Sequence, residues 1–129
     1  MTTWTPDELA TIGGANGLQL ASLRRNGSLR KSVTIWVVRH GDDLYVRSYN
    51  GRAAAWFRDM AVLYEGVIHA GGISKAVTFE EEITPGINDQ IDAAYRAKYR
   101  RSGGGYVNAM VAPAARAATI KLVPRVIHH

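Results

Sequence analysis

The chain has 129 residues, 47% of them hydrophobic, and a formal net charge of +5. A length of this order sets one domain as the default, and the positive balance, spread without a run of five cations, favours small anionic partners over a nucleic-acid-binding tail. There is no cysteine, which excludes disulfides, thiolate metal sites and cysteine nucleophiles.

Thr5-Pro6-Asp7-Glu8 is a helix start, with Thr5 and Glu8 at the spacing of a capping box. The helix should end at Gly13-Gly14. Residues 18–25 alternate as a strand, and Asn26-Gly27 is a strong hairpin signal. Residues 33–39 (VTIWVVR) are β-branched and apolar and predict a buried strand. Gly41-Asp42-Asp43 turns the chain into a further strand over 44–48, giving a three-stranded antiparallel meander. A helix over 53–60 follows Asn50-Gly51-Arg52. Strands over 62–70 and 75–81 flank a hairpin at Gly71-Gly72. Residues 87–101 form the clearest helix, with Asn88 as a cap, Ile87, Ile91, Ala94, Tyr95 and Lys98 on one face, and Asp89 and Asp92 preceding Arg96 and Arg100. A flexible break at 102–105, helical pieces over 106–110 and 113–119, and a last strand over 120–123 complete the domain, 1–125. Residues 126–129 read as an expression-derived tail.

Strands joined by hairpins with helices inserted between them predict a mainly β fold, a small antiparallel barrel. The start lacks the basic and apolar regions of a secretory signal, and no apolar run approaches the roughly 20 residues needed to cross a bilayer. A cytoplasmic location without a membrane partner is the expectation, and the missing cysteines fit it.

The segment 27–60 carries the chemistry. Cations interleave there with Trp36, Tyr45, Tyr49, Trp56 and Phe57, the combination that holds a planar, phosphate-bearing molecule. Arg30 and Lys31, just past a hairpin tip, are candidates to clamp a phosphate, against a solvating role at an exposed edge. Arg47, Ser48, Asn50 and Arg52 lead into the helix at Ala53 and suggest an anion site at its N-terminus, against simple capping. Of Trp56 and Phe57 only one can face the core, and the other is available to stack on a ring or fill an interface. His69 and Glu65 share one face of a strand and are weak candidates for an acid/base pair. Neither Asp42-Asp43 nor the acidic run at 80–82 has metal-ligand spacing, so no metal is expected. Tyr95, Arg96, Lys98, Tyr99, Arg100 and Arg101 form a basic, aromatic helix end, read more readily as a solvated face than as a nucleic-acid contact.

The pattern Gly27-x-x-Arg30-Lys31-Ser32-Val33-Thr34, Gly41-Asp42-x-Leu44-Tyr45-Val46, Asn50-Gly51-Arg52 and Ala55-Trp56-Phe57-Arg58 resembles the flavin-binding split β-barrel superfamily, in its branch of deazaflavin-dependent nitroreductases and quinone reductases. Across nearly its whole length the chain is similar to a bacterial family of unknown function beside that branch, through the opening TxxEL, AWFR, AAYRAKY and the closing RAATIKLVPR. The resemblance implies a split barrel, usually a homodimer, with FMN or a deazaflavin in a groove at the subunit interface. Asp59-Met60 stands where the deazaflavin enzymes carry Asn-Leu, which sets a carboxylate near any anionic ligand. Two alternatives stand beside this reading. One is a cofactor-free barrel with an apolar pocket around residues 60–64, acting through His69 and Glu65. The other is a basic nucleic-acid-binding module.

Overall fold

The structure, a computed structural model, describes residues 3–100 and 104–125. Helix α1 (Pro6–Gly14) begins in the predicted capping box. Thr5 Oγ1 accepts the Glu8 amide at 3.1 Å, and the Glu8 carboxylate accepts the Thr5 amide at 2.9 Å. Two donors that the first turn would otherwise leave unmatched are thereby satisfied.

Seven strands follow: β1 (Leu18–Ser22), β2 (Val33–Ile35), β3 (Val37–His40), β4 (Asp43–Arg47), β5 (Glu65–Ala70), β6 (Ile73–Glu81) and β7 (Thr119–Pro124). All pairings are antiparallel, in the order β2-β1-β5-β6-β7-β4-β3. The two edge strands are therefore β2 and β3, and only Trp36 separates them in sequence. The sheet's twist has brought its two edges round to successive pieces of one extended run, a nearly closed barrel. This corrects the single strand expected over 33–39. Its first half pairs with β1 (Ile35 opposite Leu18) and its second half with β4 (Val38 opposite Tyr45).

At the break, the peptide groups of Trp36 and Val37 find partners on helix α3 (Pro85–Tyr99). Lys98 Nζ donates to the Val37 carbonyl at 2.6 Å, and Tyr95 Oη donates to the Trp36 carbonyl at 3.4 Å. Tyr99 Oη accepts the Val37 amide at 3.2 Å and sits 3.1 Å from the Val37 carbonyl and 2.9 Å from that of Asn16. Buried peptide groups need partners, and here side chains replace the missing rung.

Two cores result from the alternation of strand side chains. One packs Leu18, Leu20, Val46, Ile68, Phe79 and Leu122 with Leu9 and Ile12 of α1. The other packs Val38 and Tyr45 against Ile91, Tyr95 and Tyr99 of α3 and Val107 and Met110 of α4 (Gly104–Met110). Strands β3 and β4 are thus covered on both faces.

Several boundaries differ from expectation. A 3-10 turn (Gly51–Ala53) precedes α2 (Ala55–Met60), so the expected helix over 53–60 is shorter. Strand β5 starts at Glu65, because Tyr64 takes a left-handed conformation, φ 57°, that a strand cannot include. Gly71 and Gly72, at φ 58° and 83°, make the predicted tight hairpin. Thr84, not Asn88, is the N-cap of α3, since Pro85 can open the helix and Asn88 already lies inside it. Gly104 and Gly105 of the expected break belong to α4, while Ser102, Gly103 and the tail over 126–129 lie outside the described residues. Helix α5 (Pro113–Arg116) leads into β7. No helix among the described residues is long and apolar enough to cross a membrane.

Candidate functional site

Strand β2 is paired on one side only, to β1. Its residues Val33, Thr34 and Ile35, with Trp36 at the break, form one wall of a cleft of about 550 Å³. Tyr49 beyond the end of β4, Trp56 of α2, and Tyr106 and Met110 of α4 complete the lining, with Arg47 beneath.

The aromatic side chains form a connected surface. Trp36 lies flat on Tyr99, centroids 4.0 Å apart and planes 1° from parallel, so its orientation is held from behind by α3. Its other neighbour, Tyr106, is 6.4 Å away, and Tyr106 meets Tyr49 at 6.0 Å. Tyr49 and Tyr106 are 48% and 61% exposed, unusual for large rings beside one groove. Trp56 and Phe57 divide as expected: Phe57 is buried and Trp56, half-buried, faces the cleft.

Arg47 is fully buried. Its Nε donates to Thr119 Oγ1 at 2.9 Å, and Nη1 pairs with Asp92 and donates to the Met110 carbonyl at 3.0 Å. Its Nη2 meets Asn88 twice, at the carbonyl (3.1 Å) and at Oδ1 (3.0 Å). A guanidinium has five N–H donors, and all five are matched here, none by a ligand. The side chain ties β4 to α3, α4 and β7. Asp92 also faces Arg116, whose Nη2 reaches Asp89 at 2.8 Å, so these acids serve cations outside their own helix and not the expected Arg96 and Arg100. The signal was present in the sequence. Asp92 follows Asn88 by four residues and precedes Tyr95 by three, which puts a carboxylate on the buried stripe of α3.

The other residues expected near the helix start do not share a ligand with Arg47. Arg52 pairs with Glu81, donates to the Ala117 carbonyl at 3.2 Å and lies 5.0 Å from the Phe57 ring centre. Glu81 also accepts the Tyr64 hydroxyl at 2.6 Å. The Arg52 bond, then that of Tyr64, holds the Glu81 carboxyl below its ordinary range. Ser48 is buried with its hydroxyl unpartnered, and Asn50 is exposed and makes no capping bond. Six residues of α2, capped by an alanine, leave no N-terminal anion cradle of the expected kind.

Arg30 and Lys31 sit differently. In sequence both precede the cleft wall, and neither is among the residues that line the cleft. The buried Arg30 Nε has no partner, and its Nη1 is a loose 3.8 Å from Asp59. Lys31 is exposed and makes no ion pair among the described residues.

His69 and Glu65 do not meet. Four residues of extended strand separate them by about 13 Å. His69 is exposed, with Nδ1 2.7 Å from Ser74 Oγ, and Glu65 faces Arg125 at 3.4 Å. The apolar run over 60–64 does not line the cleft, and Met60 is buried in the core. On α3, Tyr95 and Tyr99 turn inward and Arg96 and Arg100 are exposed, while Arg101 lies outside the described residues.

Against known proteins, a family described as "Uncharacterized protein conserved in bacteria (DUF2255)" matches residues 8–122. No curated protein matches. Among solved structures, the fold is similar to a candidate pyridoxamine 5'-phosphate oxidase from Listeria innocua, at TM-score 0.64 and 15% identity over 93% of this chain and 92% of that one. It is similar to an F420 reductase at 0.57 and 14%, over 93% of each chain. A FAD-binding protein from Mesorhizobium loti gives 0.60 and 15%, over 96% of this chain and 92% of that one. At these identities the likeness establishes the fold.

Proposed function

The chain belongs to the bacterial DUF2255 family, and from its fold and its cleft we propose that it binds a flavin or deazaflavin and acts as an oxidoreductase on a small organic molecule. The observation that carries this reading is the cleft itself: Trp36, Tyr49, Trp56 and Tyr106 offer flat surface beside an unpaired strand edge, in a volume of about 550 Å³. That volume lies within the usual range for cofactor-sized ligands. Two proteins of similar fold are described as an F420 reductase and a FAD-binding protein, which supports the same ligand class.

The residues present fit such a group. The aromatic side chains would hold its ring. Arg30 would take the phosphate, since its buried Nε lacks an acceptor and its contact with Asp59 is long enough to yield. The exposed Lys31 would add a point charge. Arg47 is fully committed and holds the cleft floor in place. The cofactor, when bound, supplies the hydride chemistry, and the protein supplies orientation and a shielded surface. The exposed Tyr49 and Tyr106 are the surface against which a second copy of the chain would complete the groove.

Fluorescence titration of the purified protein with FMN, FAD and a deazaflavin tests the reading. Saturable quenching is expected, weakened by Trp56→Ala. Arg30→Gln should weaken FMN but leave riboflavin, which has no phosphate, unchanged. If none of the three binds at high micromolar concentration, the reading is wrong.

A further inference from the structure

A second cleft, of about 360 Å³, lies at β3 between α1 and α3. Gly13 of α1 and Ala94 and Ala97 of α3 leave it open, and Arg39 and Lys98 give it charge. No acidic residue lines it, and neither cation belongs to an ion pair among the described residues.

Both cations are anchored with donors to spare. Lys98 Nζ gives one of its three protons to the Val37 carbonyl, 2.6 Å away, and lies 5.0 Å from the Tyr99 ring centre. Half-buried without a counter-charge, its amine is pushed down to about 8 by that burial alone. Arg39 is held by its Nε, which donates to the Gly41 carbonyl at 2.8 Å. Its stem packs on Gly13, where a Cβ would come within 3.0 Å of the Arg39 Cβ. The glycine thus lets the arginine stem lie flat at the cleft, and the terminal guanidinium nitrogens make no bond among the described residues.

A partly desolvated ammonium without a counter-charge is costly, and a bound anion relieves that cost. We propose that the second cleft binds a compact oxyanion, a carboxylate or phosphate group, with Lys98 and Arg39 as its two cationic contacts. Its small-residue walls admit a ligand of a few heavy atoms next to the charges.

The test is an NMR titration of isotope-labelled protein with inorganic phosphate and, separately, with acetate, each against sodium chloride at matched ionic strength. Saturable shifts at the amides of Arg39, Ala94, Ala97 and Lys98 are expected with at least one oxyanion and not with chloride. Comparison of the two ions identifies the group recognised. Arg39→Gln and Lys98→Gln should each weaken binding about tenfold, the loss of one charge-assisted contact. Arg39 is exposed, so its variant decides the matter if Lys98→Gln does not fold. Shifts that follow ionic strength alone, or that persist unchanged in Arg39→Gln, overturn the proposal.

Discussion

Replacing Asp92 with alanine should destabilise the protein more than the loss of any surface charge. Asp92 is 8% exposed and its partner Arg47 is fully buried, so the variant strands a guanidinium in the interior. Breaking a buried pair from one side costs about 3–5 kcal/mol. Arg47 keeps its bonds to Thr119 Oγ1, the Met110 carbonyl and both Asn88 oxygens, which places the loss near the lower end, ~3 kcal/mol. With 129 residues and ~2.1 cal/mol/K of unfolding entropy per residue, Tm should fall by roughly 11 °C. Urea unfolding followed by far-UV circular dichroism measures the first quantity and a thermal melt the second. A loss below ~1 kcal/mol in Asp92→Ala would refute the reasoning.

Two further outcomes follow from packing and burial. A Cβ on Gly66 would lie 2.3 Å from the Ala21 carbonyl oxygen and 3.0 Å from Phe79 Cε2, so Gly66→Ala must force β5 away from β1. We expect a loss of about 3 kcal/mol by urea unfolding, and a variant as stable as the parent would contradict the register described. Burial, helped by the charges of Asp43 and Glu82, pushes the Tyr45 hydroxyl up to about 12. The folded state then keeps its proton longer than the unfolded chain, whose tyrosine titrates near 10. This contribution is complete below pH 10 and is lost as pH rises from 10 to 12. Tyr45→Phe should flatten the fall in urea midpoint across that window, and an unchanged slope would count against it.

Local chemistry made much of the fold legible. Thr5 and Glu8 marked the first helix, Gly71-Gly72 a hairpin, and the β-branched residues after Ser32 an extended run, because each acts through neighbours in sequence. The break at Trp36 was not legible. It arises where a twisted sheet closes, and the residues that stabilise it, Tyr95, Lys98 and Tyr99, are about 60 positions away. The same distance problem governs the site. That Trp56 and Phe57 must face different ways was legible, since they are adjacent on a helix; which of them is buried was not. Arg47 and Arg52 carried the charge expected of anion contacts, yet their carboxylate partners, Asp92 and Glu81, lie on later elements and use that charge internally. Tyr106 of α4, which closes the cleft, offered no signal beyond being aromatic.

Closure of the barrel through the covalent chain at Trp36, with no hydrogen-bonded ladder between β2 and β3, has a consequence for what the cleft can accept. Widening it breaks no rung of the sheet. The resistance comes from three side chains of one helix and a single ring stack, each individually modest. Ligand size tolerance is therefore a property of how firmly α3 is seated, so core substitutions at Ile91 or Val38, remote from any ligand atom, should broaden or narrow the range of molecules that the cleft takes.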